Sequence, residues 1–396
     1  MKAPTQVAID TQVGDLLARP AKTRGADESG QRRLLMLTRY GRLGASSRQR
    51  LLLFKQPLQQ RRIAVVENQL LSDSYLRRLY GNESVKPLEI MARYLARTLA
   101  LLRSSRSDIV WLEKEALPWM PEWIERLLLG RRTLIVDFDD GWHLRYNSGR
   151  ARWHARLTAG KLEALARRAD AVFVANPELL RWARDAGATN VVYIPTVVDT
   201  ARYRVLDEPP APFTVGWIGS PLNLSYLQSI IQPLQRLSAQ GARLLAIGAP
   251  AGFALDGVDL EAVPWSEGTE VAELARCHVG IMPLDNTPWE RFKSGYKLIQ
   301  YMAAGRAVVA SPVGANLEIV RDGETGFFAR TDDEWFRALA RLKDDAGLRK
   351  RLGLAGRRRC AARYSLDAAL EQVTAALSPY WEAAAPSPTA PDREAA

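Results

Sequence analysis

The sequence predicts an α/β protein built from two tandem, doubly wound parallel sheets that face each other across a cleft. Three observations carry this reading. Short apolar runs alternate with helix-patterned stretches along most of the chain. The runs are apolar throughout rather than alternating, as strands covered on both faces must be. A charged, Pro-containing segment, TVVDTARYRVLDEPPAP at 196–212, breaks the rhythm once, and the rhythm then restarts.

Residues 1–31 read as a tail, since MKAPTQVAIDTQVGDLLARP has no apolar core of signal-peptide length. The first domain is expected over 32–200. Its strands are RLLMLT (33–38), RIAVVE (62–67), DIVWLE (108–113), TLIVDF (133–138), AVFVA (171–175) and VVYIP (191–195), with helical patterns such as SSRQRLLLFKQPL and KLEALARRA between them. The second domain is expected over 201–365, with strands FTVGWIG (213–219), ARLLAIG (242–248), HVGIMPL (278–284) and RAVVAS (306–311). A last helix at 366–383 is expected to pack back on the first domain. The Pro- and Ala-rich end, 384–396, has too few large apolar residues to pack and reads as a second tail.

At 396 residues the chain exceeds one ordinary core, and 47% hydrophobic with 25% charged residues indicates a globular protein. No apolar run approaches the roughly 20 residues that span a bilayer. Two cysteines, Cys277 and Cys360, argue against a disulfide framework or a cysteine zinc site and fit a reducing cytoplasm. Histidines at 143, 154 and 278 are too scattered for a metal site. The net charge of +11 suggests an anionic partner: a phosphate-bearing ligand, an anionic membrane or nucleic acid. No nucleic-acid module is present, so nucleic acid is not expected.

Ligands of open parallel sheets bind beyond the carboxyl ends of the strands, so residues just after strand ends are the candidates. The stretch SGYKLIQYMAAGRAVVASPVG, 294–314, follows such an end. A helix beginning near Ser294 and Gly295 offers unpaired N–H groups and a partly positive end, and the glycine lets an anion approach the backbone. Arg291, Lys293 and Lys297 place full positive charge around the same turn, a credible pyrophosphate seat. Gln300, nearly two turns on, can both donate to and accept from a ribose hydroxyl. After the first strand, TRYGRLGASSRQR (38–50) supplies Gly41 and Gly44 for tight turns, Ser46 and Ser47 as helix caps, and Arg48 as a further charge. IVDFDDGWHLRY (135–146) crowds Asp137, Asp139 and Asp140, and of these Asp139 or Asp140 is favoured for binding or orienting an acceptor hydroxyl. His143 lies near them. Arg145, Arg150, Arg152 and Arg156 with Trp153, and the patch RRLYG (77–81), are basic with interleaved aromatics. Such stretches suit a lipid headgroup or a diphosphate-linked acceptor, and also a plain solvated face.

Three segments, VVYIPTVVDTARY (191–203), GWIGSPLNLSYL (216–227) and NTPWERFKSGYKLIQYMAAGRAVVASPVGANLEIVRDGETGFFA (286–329), resemble glycosyltransferase family 4, the group 1 family with the two-domain GT-B fold. The resemblance runs from about 33 to 380. It implies sugar transfer from a nucleotide-diphosphate sugar with retention of configuration and neither metal nor cofactor. The donor would lie on the second domain and a glycan or lipid-linked acceptor on the first. The donor-binding residues it points to are Gly44, Gly219, Ser220, Glu290, Ser294, Gly295, Tyr296, Lys297 and Gln300. Lys293, Arg291, Asp140 and Asp139 fall to catalysis, and Arg48, His143 and Arg145 to the acceptor. The sequence departs from the family where a glutamate pair is usual: Phe292 and Gln300 occupy those positions, with Glu290 two residues away. The loop GSPLNLS also lacks the usual Arg and Lys, for which Arg291, Lys293 and Lys297 are the available substitutes. Asp137, Asp139 and Asp140 imitate the metal motif of the other transferase fold, which has a single main nucleotide-binding domain. The rival readings are an inverting transferase or nucleotide-sugar epimerase on the same fold, a non-catalytic partner protein, and a basic membrane- or nucleic-acid-binding protein.

Overall fold

The computed structural model describes residues 33–81, 83–106, 108–147 and 157–382. The expected tails, and Arg150, Arg152, Trp153, His154 and Arg156 of the basic stretch, lie outside the described residues.

Two six-stranded sheets form, and every strand pair in both is parallel. The first has order β2-β1-β3-β4-β5-β6, with β1 Arg33–Thr38, β2 Ala64–Gln69, β3 Ile109–Glu113, β4 Thr133–Phe138, β5 Ala171–Val174 and β6 Val191–Tyr193. The second has order β12-β11-β10-β7-β8-β9, with β7 Thr214–Ile218, β8 Arg243–Ile247, β9 Leu260–Val263, β10 Val279–Met282, β11 Ala307–Ala310 and β12 Gly326–Phe328. The central strands β3, β5, β7, β10 and β11 are buried along their whole length, which is why their sequences carry no alternation. β9 and β12 were not foreseen. Both are short edge strands, partly exposed, so their sequences lack the continuous apolar run. β2 starts two residues later than the sequence suggests and is likewise a partly exposed edge.

Strand order reverses between β1 and β3 in the first sheet and between β7 and β10 in the second. Helices diverge to opposite faces at such a point and open a crevice there. The helices used below are α1 (45–60, π-helical over Arg48–Leu52), α2 Asp73–Tyr80, α3 Pro87–Arg103, α4 Glu122–Leu129, α5 Trp142–Asn147, α6 Lys161–Arg168, α7 Tyr296–Ala303 and α8 Leu366–Glu382. Along α8, Ala369, Leu370, Val373 and Leu377 are buried in one cluster with Leu34, Met36 and Phe54 of the first lobe. Its entry is fixed by a bridge between Val198 and Ser365.

Contacts cross between the lobes at several points. The Asn176 amide donates to the Phe292 carbonyl at 2.7 Å, and the Tyr193 hydroxyl donates to Glu318 at 2.8 Å. Arg42 pairs with Glu267 at 2.5 Å.

Candidate active site

The crevices of the two sheets meet in one cleft of about 420 Å³. From the first lobe Arg48, Tyr80 and Asp140 line it, with Leu43 and Ala45 of the loop after β1. From the second come Gly219 and Ser220 after β7, Gly248 after β8, Trp265 after β9, and Lys293, Ser294, Gly295, Tyr296, Lys297 and Gln300 after β10.

α7 begins where the sequence suggests. Gly295 is its N-cap, with φ of 70°, a left-handed conformation that favours glycine. A Cβ there would lie 2.2 Å from Cδ1 of Ile319. Gly295→Val is therefore expected to cost roughly 2–4 kcal/mol from backbone strain and overpacking, read as a lower melting temperature. Near wild-type stability would show that this turn can relax. Gly219 is a close approach of another kind: a Cβ would lie 2.8 Å from the Lys297 ammonium, so this glycine opens the space that the lysine fills.

Lys297 has no carboxylate partner among the described residues. Its ammonium sits 4.4 Å from the centre of the buried Trp217 ring. Burial, with Lys293 nearby, pushes its pKa down to about 7. The Lys293 ammonium lies 5.3 Å from the Tyr226 ring centre. Across the cleft, burial and the neighbouring Asp139 push Asp140 up to about 6, against the pull of Lys293. Gln300 is 2% exposed, and its Nε2, beside the Tyr203 hydroxyl, has no hydrogen-bond partner of good geometry among the described residues. Two cations, a helix start and an unused amide donor thus converge from the second lobe, opposite one carboxyl group of the first. That arrangement can hold a diphosphate and hydrogen-bond a sugar ring.

Other expected residues fall elsewhere. Arg291 is exposed and donates to Asn286 at 2.9 Å, outside the cleft, because the short helix Pro288–Arg291 turns it away. Glu290 is held by the hydroxyls of Thr287 and Tyr226, the latter at 2.5 Å, and does not line the cleft. Burial alone would raise its pKa, and these two hydrogen bonds outweigh that and lower it. Asp139 ion-pairs with Lys114 at 2.6 Å. Burial works to raise Asp139, but the ammonium prevails and holds it below its ordinary value. Asp137 is buried against Arg50 at 2.8 Å. The three aspartates thus have three separate settings, and among the described residues no acidic, His or Cys cluster could hold a metal.

His143 does not reach the cleft. It stacks on Trp182 at 4.6 Å, meets Phe292 edge-on at 4.7 Å, and is pushed down to about 4 by burial. Arg145 lies over Trp142 at 4.7 Å and Trp289 at 4.5 Å, where it joins the lobes by stacking. Gly44 packs on Tyr40 while its neighbours Leu43 and Ala45 line the cleft. Ser47 caps nothing: α1 begins at Gly44 without a side-chain cap, and the Ser47 hydroxyl donates to Glu113 at 2.5 Å.

Sequence reasoning missed Trp265 and Glu270. Trp265 follows the unread strand β9. It stacks under the Arg48 guanidinium at 4.5 Å and donates to Glu270 at 2.8 Å. Tyr80 was noticed only within a basic patch, yet it faces the cleft.

Residues 212–345, which include every strand of the second sheet, match the family model described as Glycosyl transferases group 1. No curated protein matches the sequence. Solved structures do match in fold. Sucrose-phosphate synthase from Thermosynechococcus elongatus is 14% identical, with TM-score 0.64 over 89% of this chain and 100% of its own. Anabaena HepE, solved with UDP-glucose, is 15% identical, with TM-score 0.64 over 88% of this chain and 99% of its own. The pneumococcal O-GlcNAc transferase GtfA, solved with UDP and GlcNAc, is 12% identical, with TM-score 0.51 over 73% of this chain and 60% of its own. These structures share the two-lobed GT-B arrangement. The second lobe thus matches the Glycosyl transferases group 1 model, and the chain as a whole shares the two-lobed GT-B fold of these transferases.

Proposed function

We propose that the chain moves a sugar from a nucleotide-diphosphate sugar to a hydroxyl of a glycan or lipid-linked acceptor, with retention of configuration. One observation carries the reading: Gly295, Lys293 and Lys297 of the second lobe line the same cleft as Asp140 and Arg48 of the first. The diphosphate would rest on the α7 start between the two lysines, with Gln300 on the ribose. Complexes of HepE with UDP-glucose and of GtfA with UDP and GlcNAc support a donor of this class.

The chemistry would be electrostatic. As the glycosidic bond loosens, charge gathers on the departing diphosphate, where half-buried ammonium and N–H groups stabilise it more than water does. The acceptor proton passes to that phosphate, so no strong side-chain base is required. Asp140 would orient the acceptor hydroxyl. In this scheme neither a metal nor a cofactor takes part. The acceptor class suggests cell-envelope or exopolysaccharide synthesis by a cytoplasmic protein at the membrane's inner face.

A thermal-shift screen against UDP, GDP, dTDP and their sugars tests donor binding. Ligand at about a hundred times Kd adds about 2.7 kcal/mol to stability. NMR of the product anomer separates retention from inversion, and sugar rearrangement without acceptor would mark an epimerase. No stabilisation by any nucleotide would favour a non-catalytic protein, a reading that Phe292 in a usual glutamate position keeps alive. Lys293→Ala is expected to lower turnover about a hundredfold with the melting temperature unchanged. Near-normal turnover would displace the phosphate seat.

A further inference from the structure

α3 has two apolar sides. Leu101 is buried and Tyr94 packs on the first-lobe core. About 100° around the helix from these, Leu88, Met91, Leu95 and Leu102 fall within an arc of about 60° at 3.6 residues per turn. These four are 79%, 66%, 60% and 64% exposed, so the stripe has no partner within the described chain. Next to α3 lies α4, where Trp123 and Leu127, one turn apart, are 58% and 74% exposed. Tyr94 joins the two helices' surroundings by donating to the Pro118 carbonyl at 2.8 Å, beside exposed Trp119 and Met120. A soluble surface rarely gathers so many large apolar side chains without a use for them.

We propose that this α3–α4 face docks the protein on an anionic lipid surface. Arg77, Lys86, Arg103, Arg126 and Arg131 are exposed on the same helices and their flanks. Of the acids on these helices, Glu89 is paired with Arg78, and Glu122 with Arg126 at 3.8 Å, which leaves Arg77, Lys86, Arg103 and Arg131 in excess. Aliphatic and tryptophan side chains entering the acyl boundary, with arginines reaching headgroup phosphates, form the interfacial pattern of helices that lie on a bilayer. Among the described residues no helix is long and apolar enough to cross a membrane, so the contact lies flat. A second copy of the chain fits the face less well, because it would set the same arginines against each other. The first turn of α3 is fastened to α2, where Ser72 donates to Glu89 at 2.9 Å, and α2 ends at Tyr80 on the cleft wall.

The test uses the full chain with Leu95→Cys carrying an environment-sensitive fluorophore. The two native cysteines are fully buried and stay unlabelled in the folded protein. Vesicles of phosphatidylcholine with phosphatidylglycerol are expected to shift the emission to the blue, and phosphatidylcholine alone to shift it far less. Adding L88E and L127E to the labelled chain is expected to weaken vesicle binding at least about tenfold. Nucleotide-induced thermal stabilisation of the same variant reports that it remains folded and scores the transferase reading separately. The proposal is overturned if no vesicle shifts the emission, or if the charged variant binds as well as its parent. It is overturned too if the emission is already blue without lipid, which would mean cover by the chain's own segments. A shift that follows protein concentration instead would assign the face to a second copy.

Discussion

Lys297→Met is expected to lower kcat/KM for the nucleotide-sugar by about 10²–10³, the usual effect of removing one donor from a preorganised anion site. The size follows from the lysine's setting. Its ammonium is wedged between Gly219 and the Trp217 ring, without a carboxylate among the described residues, and burial with Lys293 holds its pKa down to about 7. A charge kept short of solvent and of a counter-ion gains most when an anion arrives. The same feature fixes a sign with pH. In the free protein Lys297 is charged below about pH 7 and increasingly neutral above it. A bound diphosphate restores the charge, so affinity for UDP falls as pH rises past 7, by up to about tenfold per pH unit. Binding at pH 8 should take up a proton, seen by calorimetry in buffers of different ionisation enthalpy, and Lys297→Met should abolish that uptake. Proton uptake that survives the substitution would assign the titration to another group.

Lys161→Met should cause the largest loss of stability. The Lys161 ammonium is buried between Glu115 at 2.8 Å and Glu125 at 2.7 Å, and also donates to the Leu117 carbonyl at 2.8 Å. Glu115 is held further by Arg39 at 3.2 Å and by the Tyr146 hydroxyl at 2.5 Å. Removing one partner of a buried ionic cluster leaves the rest uncompensated and costs about 3–5 kcal/mol. In a lobe of this size that lowers the melting temperature by roughly 6–20 °C. The sign with pH is again fixed. Burial raises the pKa of Glu125 and Lys161 pulls it down, so without the lysine this carboxyl rises further. The variant then binds more protons folded than unfolded, and its deficit shrinks as pH falls from 8 toward 5. A deficit that is small at pH 8, or that grows on acidification, would show that the cluster does not hold the lobe together. Turnover per folded molecule should change little, because Lys161 does not line the cleft.

The docking face differs from both lysine sites in how it could be read. Leu88, Met91, Leu95 and Leu102 sit at ordinary helical spacings, and in sequence they are indistinguishable from a core stripe. Only packing the other side of α3 onto the sheet left them outside. The basic, aromatic segment RRLYG was noticed, but the fold sends Tyr80 to the cleft and Leu79 toward solvent.

What the sequence determined by itself is the order and kind of the buried central elements and the start of α7, but not the edge strands β9 and β12. A buried parallel strand is apolar along its length, and a left-handed N-cap favours glycine, so both constraints are local and leave a local mark. The second-lobe wall of the cleft was legible for the same reason: Ser294, Gly295, Tyr296, Lys297 and Gln300 come from one continuous stretch. The tertiary structure alone decided which distant side chains meet that stretch. Asp139 and Asp140 are neighbours in sequence, yet the first is spent on Lys114 and the second faces the cleft. His143 and Arg145 became lobe contacts, and Trp265 arrived beneath Arg48 from an edge strand too short to announce itself. Side-chain direction across an interface depends on the packing of two lobes, and no single segment encodes it.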